Sequence, residues 1–279
     1  MNAMDPPATA QASALAARYG TEAKASKLPW NDVIASLLSH RSVRGYKPDP
    51  VPPGTLETLI AAAQSAATSS NLQTWSVVEV TDPAKRAALA AIASGQQHIV
   101  ECPLFLVWLA DVSRNQRLAE AEGKTLEGLP YFETFLVAAI DAALAAQNAV
   151  AAAESLGLST VYIGALRNDP AAIAKMLDLP PGAVAVFGLC IGYPKPGSTA
   201  EVKPRLPQEA ILFRDRYSSA ADNELRATYD ARLETFSKRH EMAAYTWTHR
   251  VINRLATIKA LTGRERLKDI LINLGFPLR

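Results

Sequence analysis

Five polar clusters in the 279-residue sequence carry side chains that could hold an anionic ligand. The first, HRSVR at residues 40–44, places an imidazole, a hydroxyl and two guanidiniums between an apolar, helix-like run and a proline-rich turn. A guanidinium can donate two parallel, charge-assisted hydrogen bonds to a phosphate, so this segment suits a phosphorylated ligand. Read alone, such a segment is more often a solvated basic turn.

The other four clusters stand at the ends of predicted helices and strands. AATSSNLQ at 66–73 and SGQQH at 94–98 are rich in hydroxyls and amides, which are typical of caps and loops. In TVYIGALRND, Gly164 would let the backbone approach a ligand closely. In VKPRLP, the prolines stiffen the chain and keep Lys203 and Arg205 extended on one side. Read alone, a strand end explains the first of these two segments equally well, and a charged linker explains the second better.

The composition and the absent motifs exclude several classes of function. The net charge of +2 is too even for the broad basic surface of a nucleic-acid-binding protein. The sequence has no glycine-rich dinucleotide fingerprint, no P-loop and no Gly-x-Ser-x-Gly elbow. The four histidines show no metal-ligand spacing, which predicts no metal site. Cys102 and Cys190 lie in apolar runs, which predicts buried thiols in a reducing compartment.

Predicted helices and strands alternate between residues 30 and 193, the pattern of a layered α/β or α+β domain. The helices are predicted at 31–39, 53–67, 83–94, 132–157 and 170–179, and the strands at 74–82, 103–111, 159–164 and 183–194. A charged helical tail follows from residue 220. Residues 1–28 are alanine-rich without the continuous apolar segment of a signal peptide, which predicts a flexible extension.

The helix at 132–157 is apolar except for a polar stripe. Thr134, Asp141, Asn148 and Ser155 recur every seven residues and therefore share one face. These polar residues make it a poor membrane-spanning helix, so no membrane association is predicted. We expect a central buried helix that also contributes to a subunit interface.

Taken in order, HRSVRGY, ATSSNLQ, GQQH, AQNAVAAAESLGLSTVYIGALRN, VFGLCIGYP and KPRLP resemble the bacterial oxygen-insensitive nitroreductases. The resemblance is to their NADPH-preferring branch, which includes NADPH:flavin reductases, and it runs from about residue 37 to 217. It implies an α+β, three-layer fold with a central, mostly antiparallel sheet flanked by helices, in an intertwined homodimer that binds FMN in two interface clefts. Residues 29–219 would form the FMN-binding domain, and residues 220–279 a helical extension packed on the domain or the partner subunit.

The same resemblance assigns cofactor contacts. It places His40, Arg41 and Ser42 at the ribityl-phosphate end, Arg44 beside the pyrimidine edge of the flavin, and Lys203 and Arg205 in a phosphate clamp. Further cofactor contacts are Val43, Thr68, Ser69, Ser70, Gln96, His98, Tyr162, Ile163, Gly164 and Ala165. Of these, Thr68, Ser69 and Ser70 would reach the flavin of the partner subunit. Glu133 would lie near the flavin edge. Tyr131 and Phe132 are candidate substrate contacts, although packing at a helix start explains them equally well.

The reaction implied is ping-pong, two-electron hydride transfer from NADPH, with NADH possible, to nitroaromatic compounds or quinones. FMN carries the chemistry, so no catalytic side chain is predicted, and Arg44 tunes the cofactor. Arg239 is the best candidate to grip the 2′-phosphate of NADPH, with Lys238 or His240 as alternatives. Two other functions stay open: a flavin reductase that supplies free reduced FMN, and a non-catalytic flavin-binding protein. The expected location is the cytoplasm.

Overall fold

The computed structural model describes residues 8–20, 28–198, 200–242 and 245–279. The chain divides into two compact units, which are described separately. Unit 1 comprises the described parts of residues 1–41 and 199–261, and unit 2 comprises residues 42–198 and 262–279. The two units divide at residues 41/42, 198/199 and 261/262, and the last 18 residues belong to the unit that contains the sheet. The domain boundaries after residues 28 and 219 stay a prediction.

Unit 2 is built on a four-stranded antiparallel sheet in the order β1-β2-β4-β3. The strands are β1 (Trp75–Glu79), β2 (Leu104–Asp111), β3 (Ser159–Ile163) and β4 (Ala183–Gly192). All eight residues of β2 are buried, as expected for a continuous apolar strand covered on both faces. The α+β class with an antiparallel sheet and flanking helices is confirmed, and all four predicted strands are present.

Helices cover this sheet and connect its strands. They are α3 (Thr55–Gln64), α4 (Pro83–Ile92), α5 (His98–Glu101), α6 (Ser113–Ala121), α7 (Phe132–Ser155), α8 (Pro170–Met176) and α11 (Leu267–Asn273), with 3₁₀ turns at Ser69–Asn71, Gly164–Asn168 and Arg264–Arg266. The core cluster joins α3 and α7 to β2 and β4 through residues such as Leu59, Ala149, Trp108 and Leu189. The alanines of α7 let α3 and the sheet approach closely.

The long helix α7 has a buried face and an exposed one. Asp141 on the polar stripe is 2% exposed, whereas Leu136, Ile140 and Leu144 are 41%, 49% and 44% exposed. By length and composition α7 could cross a membrane, and 39% of its most apolar window is buried. Its packing on α3 and β2 is that of a core helix.

Unit 1 is helical. It contains α1 (Ala8–Tyr19), α2 (Asp32–Ser39), α9 (Asp222–Arg239), α10 (Trp247–Leu255) and 3₁₀ turns at Gln208–Ala210 and Ile258–Leu261. Its small core consists of Tyr229, Leu233 and Phe236, packed with Leu206, Met242 and Trp247. Helix α1 was not predicted, and it lies inside the segment expected to be a flexible extension. The flexibility of that segment stays a prediction, and residues 1–7 and 21–27 lie outside the described residues.

Candidate cofactor site

The segment at residues 42–47 is attached to the end of the sheet by backbone contacts. Ser42 forms a parallel bridge with Thr160 of β3, and the Val43 amide donates to the Thr160 carbonyl at 3.0 Å. The hydroxyl of buried Tyr46 contacts the carbonyls of Val43 at 2.9 Å and of Cys190 at 3.2 Å. Burial raises the pKa of Tyr46 well above its ordinary value, so it stays a neutral donor. Side chains alternate in direction along an extended segment, so Ser42 and Arg44 are exposed while Val43 between them is buried.

Arg44 lies close enough to His98 to change its titration. Burial, followed by the positive charge of Arg44, lowers the pKa of His98, and Glu101 opposes this effect. His98 is 8% exposed, and its Nε2 atom has no hydrogen-bond partner among the described residues. A buried polar atom without a partner is costly unless a ligand or water completes its hydrogen bonding. Arg44 and His98 together therefore suit a ligand that carries polar or anionic atoms.

The segment that follows β3 lies beside the loop that precedes His98. Asn168 Nδ2 donates to the Ile92 carbonyl at 3.0 Å and to Ser94 Oγ at 3.3 Å. These bonds join the 3₁₀ turn Gly164–Asn168 to the loop that leads into GQQH. The structure thus places Arg44 near His98, and it attaches the turn that follows residues 162–165 to the loop that precedes residues 96–98.

Tyr162 stands at the start of this segment and is only partly buried. Its ring packs edge-on against Phe187 with 5.1 Å between centroids, and its hydroxyl donates to Gln147 Oε1 at 3.4 Å. Burial raises its pKa above the ordinary value, and Glu154 adds to the effect. A Cβ atom at Gly164 would lie 3.3 Å from the guanidinium of Arg167, so a larger residue there would press on that side chain.

The hydroxyl-rich loop at residues 68–73 is held by the buried carboxylate of Asp141 on α7. Asp141 accepts hydrogen bonds from Thr68 Oγ1 at 2.5 Å, from the Ser69 amide at 3.2 Å and from both the hydroxyl and the amide of Thr74. The Thr68 hydroxyl is therefore committed to the protein, whereas Ser69 and Ser70 are exposed.

The backbone of this loop is strained. Ser70, Asn71 and Gln73 have φ angles of 48°, 55° and 50°, a region that non-glycine residues rarely occupy. Such strain persists only where surrounding contacts hold the conformation, and it concentrates at functional sites. Asp141 supplies part of these contacts through Thr68, Ser69 and Thr74, and Arg114 and Asn115 add bonds to the carbonyls of Gln73 and Leu72.

The remaining unit 2 candidates stand at the start of α7. Tyr131 and Phe132 are 52% and 50% exposed, and Glu133 is also exposed. The Phe132 amide donates to the carbonyl of Arg279 at 3.2 Å, so the C-terminal residue is attached beside them. Phe132 also packs against Phe135. These residues and the loop at 68–73 lie on elements other than those that carry Arg44 and His98.

Unit 1 carries the other predicted cations. Buried Arg18 connects the predicted phosphate ligands, because its guanidinium donates to the carbonyls of His40 at 2.6 Å and of Lys203 at 3.0 Å. The amide of Arg205 donates in turn to the Arg18 carbonyl at 2.9 Å. Arg41 and Arg205 are exposed. Sequence reasoning missed Arg18 because nothing in the alanine-rich N-terminal segment marks it as different from other scattered charges.

An open cleft of about 820 Å³ in unit 1 is lined by two predicted ligands, Arg41 and Arg239, with Arg232, Glu201 and Phe236. Arg239 Nη2 forms an ion pair with Glu201 Oε2 at 2.6 Å, and the two side chains are 59% and 50% exposed. His240 Nε2 lies 3.4 Å from the same oxygen. Three guanidiniums and one carboxylate leave the cleft positive, which suits an anionic ligand.

Comparison with known proteins identifies the family. The nitroreductase family model matches residues 37–193, and the model of the family's C-terminal domain matches residues 203–279. The chain belongs to the nitroreductase family. Residues 1–36 lie outside both matches. The predicted resemblance is therefore confirmed, including its extension into the helical tail.

Several nitroreductase-family proteins are similar along most of their length. The chain is 37% identical over 232 residues to an FMN reductase (NADPH) of Bacillus subtilis, covering 80% of this chain and 91% of that one. It is 38% identical over 204 residues to an oxygen-insensitive NADPH nitroreductase of Salmonella typhimurium, covering 73% and 81%. Among solved structures, the NfrA1 nitroreductase of B. subtilis has a TM-score of 0.82 at 34% identity, covering 89% of this chain and 100% of that chain. An NADPH:FMN oxidoreductase from Vibrio harveyi, solved in complex with NAD⁺, has a TM-score of 0.77 at 32% identity, covering 89% and 100%.

Within this nitroreductase-family chain, the structure adds two residues to the predicted site. Asp141 holds the loop that carries Ser69 and Ser70, and Arg18 holds the backbone of His40 and Lys203. The seven-residue stripe indicated that Asp141 shares a face with other polar residues, but it could not show which donors meet it. Cys102 and Cys190 are buried and free, as predicted.

Proposed function

We propose that the protein is an FMN-dependent NAD(P)H oxidoreductase that reduces nitroaromatic compounds and quinones by two-electron transfer. The observation that carries the proposal is Arg44 beside buried His98, whose Nε2 atom has no partner among the described residues. Arg44 follows Ser42 and Val43, which are bonded to Thr160 near the start of β3. The family relatives named as FMN reductase and NADPH nitroreductase support the same conclusion.

The residues present fit FMN. A phosphate dianion needs several cations when it is partly desolvated, and we assign this role to Arg41, Lys203 and Arg205 in unit 1. In unit 2, we assign Arg44 to the flavin edge where negative charge increases on reduction, since a fixed cation stabilises developing charge. When bound, FMN supplies hydride acceptance from NAD(P)H and delivery of the electron pair to the acceptor.

Other side chains position the cofactor rather than react. Ser42 and Val43 sit on the β3 edge, which fixes the direction in which Arg44 projects. The neutral His98 favoured by its lowered pKa can donate from one ring nitrogen and accept at the other. We assign Gln96, His98 and the backbone at 162–165 to flavin contacts, and Ser69 and Ser70 to contacts with the flavin of a partner subunit.

We also propose that the protein acts as a homodimer. The exposed residues Leu136, Ile140 and Leu144 of α7 lie four residues apart and form one apolar stripe. An exposed stripe on a helix whose opposite face is in the core is typical of a subunit interface. Introducing a charge at Ile140 should convert a dimer in sedimentation experiments to monomer, and a wild-type protein that sediments as a monomer would contradict the proposal.

NADPH is the proposed donor, and Arg239 is proposed to bind its 2′-phosphate. Glu201 already holds Arg239 at 2.6 Å, so the 2′-phosphate must compete with this carboxylate. The ion pair between Arg239 and Glu201 reduces the advantage that NADPH gains from its 2′-phosphate, so NADH can also serve as donor. We expect Arg239→Ala to raise KM for NADPH while leaving KM for NADH unchanged, and equal changes in the two values would argue against the assignment.

The acceptor class separates the main proposal from its alternative. A flavin reductase would turn over free FMN faster than a nitroaromatic acceptor, and the B. subtilis relative named as an FMN reductase favours this second candidate. Steady-state rates with both acceptors distinguish the two. A cytoplasmic location is also proposed, since the free thiols of Cys102 and Cys190 suit a reducing compartment.

The test of the cofactor assignment is FMN affinity. Arg41→Ala and Arg205→Ala should each weaken FMN binding about tenfold or more, equivalent to about 1.4 kcal/mol or more, because each removes a cation from the phosphate. Arg226→Ala is the matched control, since Arg226 is an exposed arginine of unit 1 that contacts Asn223 and Thr248. Binding is measured by fluorescence titration of the apoprotein. Wild-type affinity in both variants would show that the phosphate assignment is wrong.

A further inference from the structure

Arg18 is a buried arginine in a part of the chain that the nitroreductase family models do not cover. It lies near the end of α1, whereas the first family match begins at residue 37. Arg18 is only 6% exposed. A long charged side chain is rarely buried to this extent unless its donors are satisfied. Its contacts therefore indicate its role.

Those contacts join two distant parts of the sequence. Arg18 Nε donates to the carbonyl of Leu38 at 3.0 Å and Nη2 to that of His40 at 2.6 Å, both at the end of α2. Nη1 donates to the carbonyl of Lys203 at 3.0 Å. The main chain of Arg18 adds a further bond, because its carbonyl accepts from the Arg205 amide at 2.9 Å. Arg18 thus holds the backbone of residues 40–41 and of residues 203–205, the two segments that supply the proposed phosphate ligands of unit 1.

The planar guanidinium is required for this arrangement. Its donors lie in one plane with fixed directions, so carbonyls bound to three of its nitrogens are fixed relative to one another. A lysine ammonium would keep the charge but would lose the planar fork. The bound carbonyls belong to His40, which directly precedes Arg41, and to Lys203, which is itself a proposed ligand. The guanidinium therefore fixes the backbone from which the phosphate ligands project.

The end of α1 is itself placed by packing. Gly20 follows the helix with φ of 90° and donates its amide to the Ala16 carbonyl at 2.8 Å. The positive φ favours glycine at this position, and a Cβ atom there would also lie 2.9 Å from Arg232 Nε of α9, so that side chain would have to shift. These contacts hold Arg18 within unit 1.

We propose that Arg18 is a positioning residue for a phosphate cradle formed by Arg41, Lys203 and Arg205. It acts through the carbonyls of His40 and Lys203 and does not touch the ligand. The inference rests on the proposed function, since FMN is the phosphate that the cradle would hold. It assigns to an N-terminal helix outside the family models a role in selecting the phosphorylated cofactor.

The experiment compares FMN with riboflavin, which has the same ring and ribityl chain but no phosphate. Dissociation constants for both are measured by fluorescence titration of wild type, Arg18→Met and Arg18→Lys, with Arg226→Met as the control. We expect Arg18→Met and Arg18→Lys to lose tenfold or more in FMN affinity while riboflavin affinity stays unchanged. The ratio of the riboflavin to the FMN dissociation constant should therefore fall tenfold or more in both Arg18 variants and stay unchanged in the control.

The outcomes separate this inference from the proposed function. If wild type prefers FMN and folded Arg18 variants keep the same preference, the positioning role is wrong. An equal loss for both flavins would show a merely structural role and would also overturn it. If Arg18→Met fails to fold by circular dichroism, Arg18→Lys, which retains the charge and most of the volume, decides the question alone. A wild type that binds neither flavin would instead contradict the proposed function.

Discussion

The segments at residues 42–47 and 68–73 both carry proposed cofactor ligands, but different contacts hold them. The first is held by several main-chain bonds, including Val43 to Thr160 and Lys47 to Tyr193. The second has three residues in the left-handed region and is held mainly by side chains. The buried carboxylate of Asp141 accepts from Thr68 and Ser69, and Arg114 and Asn115 donate to the carbonyls of Gln73 and Leu72. A segment held by distributed backbone bonds should tolerate the loss of any one side chain. A strained loop held by a few side chains should not tolerate the loss of the buried one, Asp141.

The largest expected effect is therefore at Asp141. Asp141→Ala removes the acceptor for four donors of residues 68–74 and leaves buried groups such as the Thr74 hydroxyl without a partner. We expect the free energy of unfolding to fall by about 3 kcal/mol or more. Hydrogen exchange should become faster at residues 68–74 and stay unchanged at 42–47. Urea unfolding and exchange measured by mass spectrometry check the two expectations.

Ser155→Ala is the control for that experiment. Ser155 lies on the same polar stripe of α7, but it is exposed and its hydroxyl donates only to the nearby Ala152 carbonyl. The free energy of unfolding of the Ser155→Ala variant should stay within about 0.5 kcal/mol of wild type. The comparison between the two segments would fail if Asp141→Ala lost no more stability than this control.

A smaller effect is expected at Tyr46, the side chain that supports the other segment. Tyr46→Phe removes a hydroxyl from the carbonyls of Val43 and Cys190 but leaves the main-chain bonds of residues 42–47 in place. We expect a loss of about 1 kcal/mol in the free energy of unfolding, the usual value of one hydrogen bond. The affinity for FMN should change little. A loss as large as that of Asp141→Ala would show that the first segment also depends on one buried side chain.

The sequence predicted the sheet unit better than the helical unit. The four strands were visible as short apolar runs, and the helix at 132–157 as an alanine-rich segment with a polar stripe, because burial in a layered core imposes these patterns. Helix α1 was missed since its apolar residues form only a weak stripe. The sequence predicted a helical tail packed on the domain or the partner subunit, but not that residues 262–279 associate with the sheet while residues 220–261 do not. This association depends on long-range packing of residues such as Leu271 and Phe276, which no local pattern reveals.

In the candidate site, too, the residues whose roles depend on long-range contacts could not be predicted from the sequence. Arg44, Gly164 and Lys203 could be proposed as cofactor contacts because the types and order of the polar clusters matched a family. Arg18 and Asp141 could not, since their importance lies in which carbonyls and hydroxyls they meet in the folded chain. Side chains that contact a ligand leave a motif in the sequence, whereas side chains that position them need not.

The central claim is that the protein uses bound FMN to accept hydride from NAD(P)H, and anaerobic titration tests it most directly. The purified protein is loaded with FMN and titrated with NADPH in the absence of oxygen. The visible flavin absorbance should be lost at about one equivalent of NADPH per flavin and should return when a nitroaromatic compound or a quinone is added. A flavin-loaded protein whose spectrum is unchanged by excess NADPH and NADH would contradict the account and would favour a non-catalytic flavin-binding protein.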